Sequence, residues 1–122
     1  MQTYDFLEKD LLENQRLRSA IDYIRSHCTQ PITRTAVAEH LQCSESYVSV
    51  LFRQSTGRKF MEIVLRYRMD KAKELLRQGR KTVTEIALAL GYKDPNYFSA
   101  CFRRVTGVSP GQFRRKIPQK SI

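Results

Sequence analysis

The sequence predicts an all-α fold of seven helices, and three observations carry that prediction. Apolar residues recur every three or four positions along the chain, with no convincing run at the period of two that a strand requires. Residues that start and stop helices bracket each periodic stretch. Residues 37–57 and 86–107 write one pattern twice. Val37-Ala38-Glu39-His40-Leu41 matches Ile86-Ala87-Leu88-Ala89-Leu90, 49 positions on. After one extra residue, Tyr47-Val48-Ser49-Val50-Leu51-Phe52-Arg53-Gln54-Ser55-Thr56-Gly57 matches Tyr97-Phe98-Ser99-Ala100-Cys101-Phe102-Arg103-Arg104-Val105-Thr106-Gly107, 50 positions on.

Leu17, Ala20, Ile21, Ile24 and Cys28 form the apolar stripe of the first helix, which must close before Pro31. Thr33 is placed to cap a second helix through Val37, Ala38 and Leu41. Ser44 caps the third, with Val48, Leu51 and Phe52 facing inward and Gly57 ending it. Phe60, Ile63, Val64, Tyr67, Lys71, Leu75 and Leu76 mark a long fourth helix closed at Gly79. Thr82-Val83-Thr84-Glu85 is a capping box that opens the fifth helix, and Gly91 stops it. Asp94-Pro95 opens the sixth: an Asp cap, then a Pro whose missing N–H costs nothing in the first turn. Ser109-Pro110-Gly111-Gln112 opens a short seventh in the same manner.

Each repeat reads as a helix-turn-helix. Ala38 and Ala87 sit where the first helix of each pair must approach the second, and a larger side chain would push the two apart. Gly91 follows four residues after Ala87, where the turn calls for a left-handed backbone. Gln42 stands at the equivalent place in the first copy, at a cost of ~1 kcal/mol if the same dihedral is kept.

At 122 residues the chain suits one compact domain, or two very small lobes sharing a core. Its formal net charge is +10, which points to an anionic partner or to a soluble basic surface. The charge is uneven: residues 1–15 carry a net −3, whereas residues 101–122 hold six Lys or Arg and no acid. That contrast separates a leader segment, residues 1–15, from a basic body. Tyr4, Leu7 and Leu11 in the leader have helical spacing, so it reads either as the end of an interdomain or dimerisation helix or as a frayed terminus. No apolar run approaches the ~20 residues of a membrane span, and no secretory signal opens the chain, so a cytoplasmic setting without membrane contact is expected.

Enzymatic readings find little support. There is no Gly-rich phosphate loop and no paired carboxylates in a plausible pocket, so no catalytic residue and no cofactor is assigned. His40 and Cys43 at i, i+3 imitate metal ligands, but further ligands are missing and Cys43 is expected to pack at the turn, so no metal is assigned either. Cys28, Cys43 and Cys101 are an odd number at wide spacing, which argues against a disulfide framework. Cys101 falls on a core face, as a buried thiol rather than a nucleophile.

The outward faces of the two second helices, about residues 45–56 and 95–106, carry the functional signal. With Phe98, Cys101, Phe102 and Val105 turned inward, Asn96, Ser99, Ala100 and Arg103 form one exposed stripe. Ser46, Ser49, Val50 and Arg53 form its counterpart. Such a stripe near a helix N-terminus is what a recognition helix lays against base edges: Asn pairs with adenine, Ser is tolerant, and Val or Ala meets a thymine methyl. Arg53, Arg58, Lys59, Arg103 and Arg104 are expected on phosphates of double-stranded DNA.

The chain resembles the DNA-binding domain of the AraC/XylS family of bacterial transcription regulators. The residues that carry the resemblance are Ile86-Ala87, Gly91-Tyr92, Asp94-Pro95-Asn96-Tyr97-Phe98-Ser99, Phe102-Arg103, Gly107, Ser109-Pro110 and Phe113-Arg114, with Arg68, Lys71-Ala72 and Leu75-Leu76 in the long helix. The resemblance spans about residues 16–117. It implies a DNA-binding domain over 16–122: a first helix-turn-helix lobe at 16–57, a linker helix at 59–78 and a second lobe at 82–117. The family's base-reading positions fall on Ser46, Ser49, Val50, Pro95, Asn96, Ser99 and Ala100. Many relatives carry Arg where this chain has Val50 and Ala100, so a guanine contact from either is not available. The leader resembles the segment that joins such a domain to a sensor or receiver domain. The rival reading is a protein-docking module recruiting RNA polymerase, with DNA contact secondary; both roles can coexist in an activator.

A helix over residues 59–78 would span ~30 Å, close to the ~34 Å between successive major grooves on one face of a duplex. Within it, Phe60, Ile63, Val64 and Tyr67 are expected to pack on the first lobe and Ala72, Leu75 and Leu76 on the second, leaving Met69–Asp70 as the bridge.

Overall fold

The computed structural model describes residues 2–117, with side chains described from residue 12 onward. These residues form seven α-helices and no strand: α1 (Gln2–His27), α2 (Arg34–Leu41), α3 (Glu45–Thr56), α4 (Phe60–Gln78), α5 (Val83–Ala89), α6 (Pro95–Thr106) and α7 (Pro110–Lys116). Residues 2–15 of the leader form the first part of α1, while the side chains of Tyr4, Leu7 and Leu11 lie outside the described residues.

Local chemistry sets the boundaries. Thr33 and Ser44 accept from the backbone N–H of Ala36 and Tyr47 at the starts of α2 and α3. Thr82 and Glu85 close a reciprocal capping box at α5, and Ser109 and Gln112 close another at α7. Asp94 caps α6 through the Asn96 N–H, ahead of Pro95. The hydrogen bonds from Thr82 hold the Glu85 carboxyl below the usual carboxylate range.

The chain divides into two compact units. One holds α1, α2, α3 and the start of α4 through Val64; the other holds residues 28–31 and the chain from Leu65 onward. In the first unit, α1 packs on α2 and α3, burying Ala20, Ile24, Val37, Ala38, Val48, Leu51 and Phe52, with Phe60, Ile63 and Val64 from α4. Phe52 and Phe60 meet edge to face, their centroids 5.3 Å apart. In the second unit, Met69, Ala72 and Leu76 join Ile86, Ala87, Leu90, Tyr92, Phe98, Cys101 and Phe102 in one core, with Leu75, Val105 and Phe113 packed against it. Met69 is therefore not a bridge: it is fully buried in the second core, and α4 changes unit between Val64 and Leu65. Met69 stands three residues before Ala72 and seven before Leu76, and so continues the stripe of α4 that enters the second core.

The two helix-turn-helix turns share one hydrogen-bond pattern. Gln42 N–H donates to Glu39 O and Cys43 N–H to Ala38 O; Gly91 N–H donates to Leu88 O and Tyr92 N–H to Ala87 O, all at 2.9–3.1 Å. The second helices also end alike. Thr56 Oγ1 donates to Phe52 O and accepts from Arg58 N–H, and Thr106 Oγ1 does the same with Phe102 O and Val108 N–H.

Within the second unit, Arg68 of α4 secures residues 28–31. Its Nε donates to Cys28 O at 2.9 Å and its Nη2 to Gln30 O at 3.2 Å, with the guanidinium 5.6 Å from the Tyr92 ring centroid.

Candidate nucleic-acid interface

Both second helices bury one stripe and expose another. On α3, Val48, Leu51 and Phe52 are buried, while Ser46, Val50 and Arg53 are exposed and Ser49 is half-buried. On α6, Phe98, Cys101 and Phe102 are buried; Asn96, Ala100, Arg103 and Arg104 are exposed, and Pro95 and Ser99 are half-buried. All seven expected base-reading residues lie on α3 and α6, with Ser46, Pro95 and Asn96 in the first turns, at the positive ends of the helix dipoles. Arg16 lies 4.9 Å from the centroid of the Tyr47 ring and steadies the start of α3 from α1.

The outward face of α3 forms one wall of an open groove of about 670 Å³ within the first unit. Its apolar lining is Val50, Phe60 and Met61, and Val50 and Met61 are 48% and 53% exposed. Its polar lining is Ser49 and Gln54, with Arg34, Arg53 and Lys59 as cations. Two of the expected phosphate contacts, Arg53 and Lys59, are therefore brought together with two expected base readers. Arg58 turns elsewhere and makes an exposed 3.8 Å ion pair with Glu62 one helical turn on, a contact that water screens.

Sequence reasoning missed Arg34 and Met61. Arg34 opens α2, 15 residues before Ser49, yet its Nη1 donates to Ser49 Oγ at 2.8 Å. The available signal was a cation in the first turn of α2, where the helix dipole disfavours one.

Burial raises the pKa of the Cys43 thiol at the first turn, which keeps it protonated. Among the described residues, no group of three or more His, Cys, Asp or Glu is placed to hold a metal ion, and no helix is long and apolar enough to cross a membrane.

A family model described as a helix-turn-helix domain matches residues 37–116, which takes in both repeats. The chain is 33% identical over 110 residues to the transcriptional regulator CdhR of Pseudomonas aeruginosa, covering 90% of this chain and 33% of that protein. It is 33% identical over 109 residues to the transcriptional activator RhaS of Escherichia fergusonii, covering 89% of this chain and 39% of that one. The chain thus spans about a third of the length of the curated relatives it matches. Among solved structures, the C-terminal domain of AraT, a response regulator from Geobacillus stearothermophilus, is 37% identical with a TM-score of 0.78, over 88% of this chain and 91% of that one. With two capped helix-turn-helix pairs, their polar faces outward and this match across both, the chain belongs to the AraC-type family of helix-turn-helix domains, the DNA-binding domains of transcriptional regulators.

Proposed function

We propose that the domain reads double-stranded DNA with two recognition helices, α3 and α6, each in a major-groove segment, with α4 as the spacer that keeps the two half-sites at one fixed separation. The observation that carries this reading is the duplication itself: turn bonds, terminal threonine locks and an outward stripe recur at both helices. Ser46, Ser49 and Val50 read one half-site, and Pro95, Asn96, Ser99 and Ala100 the other. Arg53, Arg58, Lys59, Arg103 and Arg104 hold phosphates. With Val50 and Ala100 unable to pair with guanine, preference rests on the Asn96 and serine contacts, thymine methyls and duplex shape. Selection of bound sites from random duplexes tests this: a bipartite motif of constant spacing is expected, and one short uninterrupted motif would overturn it.

A linked sensor or receiver domain fits the length of the relatives, and the similar Geobacillus domain comes from a response regulator.

A further inference from the structure

We propose that Arg34 is a positioning residue that biases what Ser49 reads, favouring this serine as a hydrogen-bond donor to a base. The inference rests on the reading of α3 as a recognition helix. A serine hydroxyl ordinarily serves as donor or acceptor, because its proton rotates to suit the partner, and so it discriminates poorly between bases. Ser49 is not in that position. Its Oγ accepts from the Arg34 guanidinium at 2.8 Å, a charge-assisted bond that is stronger than one between neutral groups. The cation on one lone pair polarises the O–H bond and weakens the second lone pair as an acceptor, so the hydroxyl's own proton is the stronger group it has left to offer. In a major groove that proton meets acceptors on guanine (O6, N7), adenine (N7) and thymine (O4), whereas the N4 amino group of cytosine finds only the weakened lone pair.

Two observations set this contact apart from ordinary surface pairing. Arg34 is the first residue of α2, at the positive end of the helix dipole, so its charge does not help α2. The internal repeat also supplies a control. Ser99 of α6 is the counterpart of Ser49, but the counterpart of Arg34 is Val83, an apolar residue packed against the second core. The same serine thus occurs twice, once held by a cation and once facing none from that place. Ser49 selects acceptors, and Ser99 remains tolerant.

The test is selection of bound duplexes from a randomised library by the whole chain, with Arg34→Ala, Ser49→Ala and the double variant. Circular dichroism should show all four equally helical, since Arg34 is exposed and caps nothing. The base pair read by Ser49 is the one whose preference Ser49→Ala erases. At that pair the parent should disfavour cytosine, and Arg34→Ala should reduce the discrimination by about 3–10-fold, the value of one net hydrogen bond, while other positions keep theirs. In the Ser49→Ala background, Arg34→Ala should change no preference further. If Arg34→Ala weakens all duplexes alike in both backgrounds, Arg34 is a phosphate contact and the proposal is wrong. An unchanged preference at Ser49's pair in Arg34→Ala overturns it equally. If Ser49→Ala itself erases no preference, the assignment of Ser49 as a reader falls first, and this inference falls with it.

Discussion

Gln42 and Gly91 hold the same left-handed turn, at φ 57° and φ 89°, though only the second has the residue suited to it. The exposed Gln42 carries the strain of a side chain there, so Gln42→Gly should stabilise the fold by about 0.5–1 kcal/mol, less the greater freedom that glycine gives the unfolded chain. Gly91→Ala should do the opposite and more, because its Cβ would lie 3.1 Å from the Thr29 carbonyl oxygen in addition to the dihedral strain. Thermal melts of the two variants should move in opposite directions; a gain from Gly91→Ala would contradict this account.

Asn96 and Arg104, eight residues apart on α6, should fail in different ways. Asn96→Ala is expected to relax preference at one or two base pairs, costing ~1–3 kcal/mol on the preferred duplex. Arg104→Ala should weaken preferred and random duplexes alike. Equal losses on both kinds of DNA for the two variants would show the division into reader and anchor to be wrong.

Affinity should fall steeply with salt, with a slope of about −0.9 per phosphate neutralised. Removing Arg53 or Arg103 should flatten that slope by about one contact each. Arg58→Ala should flatten it less if the ion pair to Glu62 persists on DNA.

Acid stability should depend on Glu85. Its carboxyl titrates below the ordinary range because it is bonded by Thr82 in the folded chain. Its contribution is therefore complete above the unfolded pKa, about 4.3, and is lost as pH falls through and below that value. Glu85→Gln keeps an acceptor for the Thr82 N–H but cannot titrate. The melting temperature of this variant should decline less than the parent's between about pH 5 and pH 3, as followed by circular dichroism.

The long helix should tolerate a break only at one place. Two glycines inserted between Val64 and Leu65 interrupt α4 where it passes from one unit to the other, so both cores should keep their packing. Tethered binding should then weaken by ~10²-fold, with footprints shrinking to one half-site. The same insertion after Asp70 falls between Met69 and Ala72, both fully buried, and should destabilise the second unit outright.

What the sequence made legible was local. Thr33, Ser44, Thr82, Asp94 and Ser109 cap helices through bonds two or three residues long, so a cap and its partner sit in one short window of sequence. The inward stripes of α3 and α6 follow from helical period in the same way. Arg34 and Arg68 were not legible as contacts, because their partners lie 15, 38 and 40 residues away. Such pairings depend on how helices cross, which periodicity does not encode. Met69 was misplaced for a different reason: its spacing to Ala72 and Leu76 puts it on their stripe, but dividing the helix evenly between two lobes set it at the midpoint.

The second unit is not a continuous stretch of chain, and this bears on how the protein can be dissected. Cleavage at Val64–Leu65 would yield a C-terminal piece lacking residues 28–31. In that piece Arg68 would lose both of its carbonyl acceptors, and the surface of Gly91 that faces the Thr29 peptide would open to water. A peptide of four residues, threaded through from the earlier part of the chain, is thus the missing part of any isolated C-terminal half. Proteolytic fragments should regain native hydrogen-exchange protection around Arg68 and Tyr92 only when both halves are mixed, so the two repeats, alike as they are, do not come apart as interchangeable parts.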